Sequence, residues 1–302
     1  MQHWRGPGRV RKVLLLGATG MLGSAVYDVL HKKYDLLLGV RKVAKVGLLE
    51  KAYGGTSKHK VLPFEASLLY HEYIAKRGSG EYMAGFLRQL GEVDHVINAI
   101  GVTIPFSLQE PALTFFINGA LPHLLADVFG EKLIHVTTDC VYDGKEGFPY
   151  DEDSPKSPVD IYGLSKSLGE PANCLTIRTS IIGRELDGKT GLLEWFLQQE
   201  GKAVTGFAGH YWNGITTQQY AKVCDQIMQS PHAFPRHGVF HIFSTVVSKY
   251  EMLTAFQYKY RIRCAVRADD SDKLNRTMTT KKELNRLLKV PSFGEMLDAL
   301  EN

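Results

Sequence analysis

An apolar run at 12–16 ends in three glycines, Gly17, Gly20 and Gly23, and Ala25, Val26, Val29 and Leu30 then follow at helical spacing. No other feature restricts the fold of this chain as much. The pattern reads as a strand, a tight turn and the first turn of a helix. In that context the glycines let the backbone approach a phosphate pair while N–H groups at the helix start point at the anion. An ordinary glycine-rich turn would not require the amphipathic segment that follows. Gly17, Thr19, Gly20, Met21, Leu22 and Gly23 are therefore candidate cofactor-binding residues, and the implied ligand is a dinucleotide.

The rest of the first half repeats the alternation. Strand-like runs at 12–16, 35–40, 60–62, 95–99, 133–137 and 175–177 are separated mostly by segments with helical apolar spacing, such as 112–129. Right-handed crossovers and a parallel sheet covered on both faces follow, so the predicted class is α/β, a Rossmann-type doubly wound sheet. The segment 39–56 reads as loop or weak helix, and 76–80 as a break between helices. Beyond 183 the pattern loosens, with helix-like stretches at 191–199, 217–228, 249–258, 280–288 and 293–300 and a strand at 239–243. The predicted organisation is a flexible leader (1–11), a Rossmann domain (12–185, with 235–248 returning to it) and a smaller substrate lobe (186–302). That lobe would sit at the carboxyl ends of the sheet, where open α/β sheets place ligands.

Composition narrows the function classes. A net charge of +4 is too small and dispersed to argue for nucleic acid, and the most basic run, Arg5, Arg9, Arg11 and Lys12, reads as part of a solvated leader. Cys140, Cys174, Cys224 and Cys264 are far apart and form no CxxC pair, which suggests reduced thiols in a cytoplasmic compartment and no metal site. No apolar run is read as membrane-spanning, and no signal-peptide segment is read at the N-terminus, so no membrane partner is expected.

The tip of the second strand bears on the cofactor. Leu38, Gly39 and Val40 lead into Arg41 and Lys42, with no acid to hydrogen-bond a free ribose hydroxyl. A basic tip accommodates a 2′-phosphate, so NADP(H) is preferred, with NAD(H) as the alternative if this is only a solvated basic turn.

The candidate chemistry lies mid-chain. Of the fourteen tyrosines, Tyr162 alone has a lysine, Lys166, four residues on. One helical turn puts both on a face, where an ammonium should lower the phenol pKa towards the range of a working acid. The apolar run at 133–137 delivers Thr138 and Asp139 to a strand end, where a hydroxyl could share a substrate oxygen with that phenol.

Taken in order, GATGMLG, the NAIG segment at 98–101, TTDCVYDG and YGLSK resemble extended short-chain dehydrogenase/reductases. The chain is most similar to the dTDP-4-dehydrorhamnose reductase family, with a TDYVFDG-like stretch at 138–144 and the run Arg178, Thr179, Ser180. The resemblance implies hydride transfer from NADPH to the 4-keto carbon of a nucleotide-linked 6-deoxy sugar. On it, Tyr162 gives the proton, Lys166 holds the nicotinamide ribose, Thr138 bonds the keto oxygen, Asp139 follows it and Asn118 anchors a water chain. Asn98, Ala99, Gly101 and Glu65 would join the cofactor set, and Arg178, Ser180, Trp212, Thr216 and Arg276 the substrate set. Trp195 and Tyr211 are further stacking candidates. Cys140 carries no carboxylate where 4,6-dehydratases have a glutamate, which disfavours dehydration and leaves Cys140 as a small buried residue. Sugar epimerases share the Tyr/Lys pair, and a regulatory subunit that keeps the nucleotide site is the alternative of another class. Pro171 should end the Tyr/Lys helix near Glu170, earlier than in the family, where this helix often packs in a homodimer.

Overall fold

The computed structural model describes residues 10–76 and 79–300. Most of the expected leader, including Arg5 and Arg9, and residues 77 and 78 of the expected break lie outside the described residues.

Strand β1 (Lys12–Leu16) is followed by helix α1 (Met21–Leu30) and by β2 (Asp35–Val40), β3 (Lys60–Pro63), β4 (His95–Asn98), β5 (Leu133–Thr137) and β6 (Leu175–Arg178). A last strand, Gly238–His241, joins β6, giving a seven-stranded sheet ordered Gly238–His241, β6, β5, β4, β1, β2, β3. Every neighbouring pair is parallel. The strand order reverses between β1 and β4, which makes their carboxyl ends the crevice of a doubly wound fold.

The continuous apolar run of β1 serves both faces of the sheet. Val13 and Leu15 enter one core with Val26, Tyr27 and Leu30 of α1, while Leu14 and Leu16 enter the other with Leu69, Phe86, Leu121 and Leu125. This is the two-residue alternation of a strand buried on both sides. A third core, with Leu193, Phe196, Trp212, Met252, Phe256, Phe293 and Leu297, belongs to the smaller lobe.

Several boundaries differ from expectation. The Thr217–Gln229 helix, predicted within the lobe, packs Tyr220, Val223 and Ile227 into the same core as α1. The segment after β2, read as loop or weak helix, does contain a helix, Val46–Tyr53. The helix predicted over 280–288 begins only at Leu284. Before it, Thr280 Oγ1 and the Lys281 N–H both donate to Glu152, so tertiary bonds outbid local propensity. The stretch Pro111–Lys132 is long and apolar enough, by length and composition, to cross a membrane, contrary to expectation. Its Leu121, Leu125 and Ala126 are spent in the sheet core, as in the core helix of a globular fold.

That long helix widens to π geometry at Phe115–Ala120, where it carries Asn118. Beside it runs the short helix Ile161–Leu168, capped by the Asp160 carboxylate, which accepts the Gly163 N–H at 2.7 Å. The helix stops at Leu168, slightly before Glu170, with Gly169 at its C-cap, where only glycine fits because a Cβ would lie 1.8 Å from the Asn118 carbonyl oxygen. Its last carbonyls are not left bare. His123 Nε2 pairs with the Leu168 oxygen at 2.8 Å, and Lys156 Nζ donates to that of Ser167 at 2.9 Å.

Candidate active site

The turn after β1 is held open. The Gly17 N–H donates to the Gly39 oxygen at 2.9 Å, and α1 begins at Gly20, which supplies no side-chain cap. Its first N–H groups thus face the crevice, and a Cβ on Gly20 would meet only the Gly17 oxygen, at 3.4 Å. Gly23 acts differently, by letting α1 pack onto the turn, since a Cβ there would sit 2.1 Å from the Gly17 oxygen. Leu22 is buried in the core, and Met21 lies beside Gly191 of the lobe.

A cavity of about 380 Å³ opens at this point, lined by Gly17, Thr19 and Gly20 from the first turn and by Ala99, Gly101 and Val102 after β4. Arg41 and Lys42 line it too, as expected, and so do two residues that sequence reasoning missed, Lys45 and Asp187, which form an ion pair across its mouth. Arg41 and Lys42, with no acid at the β2 tip itself, above an open helix start, suit a dinucleotide with a 2′-phosphate. Phe64, Ala66 and Ser67 form the far wall, whereas Glu65 is absent from the lining and accepts the Ser67 hydroxyl at 2.7 Å. Asn98 is fully buried. Its Oδ1 accepts the Ile100 N–H and its Nδ2 meets His135 Nδ1, both at 3.1 Å, so it shapes the turn after β4 rather than touching a ligand.

The predicted pair does not itself line this cavity; Lys166 stands directly behind Gly101, which does. Lys166 is buried, with Nζ 3.4 Å from the Val136 oxygen; a Cβ on Gly101 would lie 3.0 Å from that Nζ and 3.6 Å from Asn118 Oδ1. Burial draws its pKa down to about 8, while the Glu170 carboxylate acts the other way. Asn118 is fixed on both sides, accepting the Val102 N–H at 2.8 Å and donating to the Val102 oxygen and to Ser165 Oγ at 3.1 Å each. It ties the cofactor-side loop to the helix of the pair. Beneath them His135 is held well below its ordinary pKa by burial and then by Lys166, so it is neutral.

Thr138 Oγ1 accepts the Cys140 N–H at 3.2 Å, donates to Asp139 Oδ1 at 3.1 Å and interacts with the Tyr162 hydroxyl. The expected lowering of the phenol pKa is not found. Burial first, then Cys140, Asp139 and Asp160, raise it, against the Thr138 bond, and the Lys166 ammonium does not offset them. Tyr162 is thus a protonated donor. The Cys140 thiol is pushed up to about 12 by burial and Asp139, so it is inert.

The family described as RmlD substrate binding domain matches residues 86–281, which include every residue of this cluster. The chain belongs to the RmlD substrate-binding domain family. It is 28% identical over 187 residues to the spore coat polysaccharide biosynthesis protein SpsK of Bacillus subtilis, covering 57% of this chain and 63% of that one. It is 42% identical over 67 residues to a dTDP-4-dehydrorhamnose reductase of Streptomyces griseus, covering 21% and 22%. The chain therefore spans less than two thirds of these relatives' lengths. A longer match, 24% identical over 265 residues, is to methionine adenosyltransferase 2 subunit beta of Mus musculus, with 81% and 71% covered. In fold, it superposes on a dTDP-4-dehydrorhamnose reductase of Bacillus anthracis solved in complex with NADP, with TM-score 0.68, 17% identity, and 97% and 99% covered.

Several substrate residues implied by the RmlD-type resemblance are structural here. Arg178 is buried in a two-bond pair with Glu170, Nε to Oε1 at 2.9 Å and Nη2 to Oε2 at 2.6 Å; it also reaches Tyr142 and His241. Trp212 is 4% exposed and packs edge-on to Phe293, so no sugar or base can stack on it, whereas Trp195 and Tyr211 are exposed. Thr216 caps the Thr217–Gln229 helix by accepting the Gln219 N–H at 3.1 Å. Ser180 is partly buried at the turn after β6, its carbonyl accepting the Ile215 N–H. Arg276 does reach the turn that follows Thr138: Nε donates to the Tyr142 oxygen at 2.9 Å and Nη1 lies 3.7 Å from Cys140 Sγ. Lys249 was missed; it joins Asp139, Cys140 and Arg276 from the first position of the Lys249–Tyr260 helix.

Proposed function

We propose that this RmlD-family chain is an NADPH-dependent reductase of the 4-keto group of a nucleotide-linked 6-deoxy sugar, acting in deoxysugar or surface polysaccharide biosynthesis. The observation that carries the reading is that Lys166, on the helix that also carries Tyr162, lies directly behind Gly101 of a crevice with an uncapped helix start and the Arg41 and Lys42 cations. NADPH, when bound, supplies the hydride. Gly17, Thr19, Gly20 and the loop at 99–102 would hold it, with Arg41, Lys42 and Lys45 around the 2′-phosphate; NAD(H) would lack the group those cations attract.

Tyr162 donates its proton to the keto oxygen as negative charge develops there. A phenol held protonated by burial suits that direction, because the alkoxide that hydride transfer makes of the carbonyl is a stronger base than the phenolate and takes the proton. Thr138 orients the phenol, and Asp139 in turn orients Thr138. Lys166 places a positive charge behind the crevice floor beside Gly101, favouring the anionic transition state over the neutral ground state. Asn118 keeps the Val102 loop and the Tyr162 helix in register.

Oxidation of NADPH is measured against a panel of nucleotide-linked 4-keto sugars. Turnover with one of them that falls at least a thousandfold in Tyr162→Phe supports the reading; no turnover with any sinks it. The mouse subunit beta, which matches more of this chain than the other relatives named, favours a second reading: an NADP-binding subunit that acts on a partner enzyme. On that reading Tyr162→Phe leaves the effect on the partner intact.

A further inference from the structure

The lobe faces the catalytic turn with a three-stranded sheet in which His210–Trp212 lies between Val247–Ser248 and Leu274–Asn275. Asn213 locks this wall: its Oδ1 accepts the Met278 N–H at 2.9 Å and its Nδ2 donates to the Met278 oxygen at 2.8 Å. The Asn275 N–H donates to the Gly144 oxygen at 2.8 Å, joining the wall to the loop that follows the catalytic turn. Each outer strand is followed directly by a cation, Ser248 by Lys249 and Asn275 by Arg276.

The two cations are held in different ways. Arg276 spends Nε on the Tyr142 oxygen and Nη1 on Cys140 Sγ, leaving Nη2 without a partner among the described residues. Lys249 lies over the Trp212 ring, its Nζ 5.9 Å from the centroid, and no carboxylate forms an ion pair with it among the described residues. Its charged form is disfavoured by burial, helped by Asp139 and Cys140, and disfavoured again by Arg276. Asp139, whose Oδ1 accepts the Thr138 hydroxyl, forms an ion pair with neither cation among the described residues. Two like charges close enough to repel, each with unused donors, are relieved when an anion lies between them.

We propose that Lys249, seated on the Trp212 ring, is a substrate-specificity residue that binds an oxyanion of the diphosphate joining the nucleotide to the sugar. The assignment rests on the nucleotide-sugar reading above and adds the group that reads the linker. It also gives Trp212 a role that its burial allows, as the platform that aims the ammonium.

The test compares wild type with Lys249→Met and Lys249→Arg, using thymidine and uridine diphosphates as calorimetric probes, with NADPH binding as the control for folding. Lys249→Met should weaken the better nucleoside diphosphate by about tenfold or more and leave NADPH within about twofold, while Lys249→Arg retains most of the affinity. With the sugar substrate, KM should rise by a similar factor and kcat stay within about threefold. Equal diphosphate affinity in wild type and Lys249→Met overturns the assignment while leaving the reductase reading standing. Binding of NADPH but of neither diphosphate by wild type overturns both. A loss for Lys249→Met equal in nucleoside mono- and diphosphate points to the base or ribose and also overturns it.

Discussion

Replacing Lys166 by Met should make the protein more stable and inactive. The ammonium is buried, its ordinary value of 10.5 drawn down to about 8. At about 1.4 kcal/mol per tenfold change in proton affinity, the protonated form is disfavoured by about 3 kcal/mol in the folded state. Its hydrogen bond to the Val136 oxygen is long, 3.4 Å, and losing it returns about 1 kcal/mol. Met has nearly the same length and no charge, so a net gain of about 2 kcal/mol at pH 7 is expected.

The sign with pH is distinctive. A folded-state pKa below the unfolded one means the unfolded chain binds more protons between about pH 8 and 10.5. Below pH 8 the penalty is fully present, and it fades as pH rises through that window. Urea denaturation of both proteins at pH 7 and pH 10 should show the advantage of Lys166→Met at pH 7 and most of it gone at pH 10. A variant no more stable than wild type at pH 7, or a difference that does not change with pH, refutes the reasoning.

Activity of wild type should fall as pH rises above about 8, when Lys166 loses its charge, and a flat profile to pH 10 in kcat/KM would exclude that role. Gly23→Ala must move its Cβ from 2.1 Å to about 3.4 Å from the Gly17 oxygen, costing about 1–3 kcal/mol and weakening NADPH, read by thermal melts and cofactor titration. Arg178→Met leaves Glu170 buried with Lys156 as its remaining ionic partner and should cost about 3 kcal/mol or more in denaturant titrations, with substrate KM unchanged in the folded fraction. Arg41→Ala with Lys42→Ala should lower the preference for NADPH over NADH at least tenfold, measured as the ratio of kcat/KM values.

What could be read along the chain was whatever depends on neighbours within a turn or two. The run into Gly17, Gly20 and Gly23 sets a strand, a turn and a helix start by local sterics alone, and the four-residue step from Tyr162 to Lys166 sets a shared face wherever the helix lies. Alternating apolar runs likewise implied the parallel sheet, because each strand must bury both its faces.

Charge and burial were decided only by distant partners. Arg178 reads as a substrate cation until Glu170, Tyr142 and His241 converge on it, and Trp212 reads as a stacking ring until Phe293 closes over it. Lys45 met Asp187, and Lys249 came to face Asp139, across more than a hundred residues of chain. The Tyr162 phenol rose rather than fell because desolvation is set by everything packed around a group, whereas spacing specifies a single neighbour. The sequence alone determined the strand-and-helix alternation of the first half and where the glycine-rich turn lies; tertiary packing decided which side chains keep their charge free for chemistry, because solvent exposure is a property of the assembled fold.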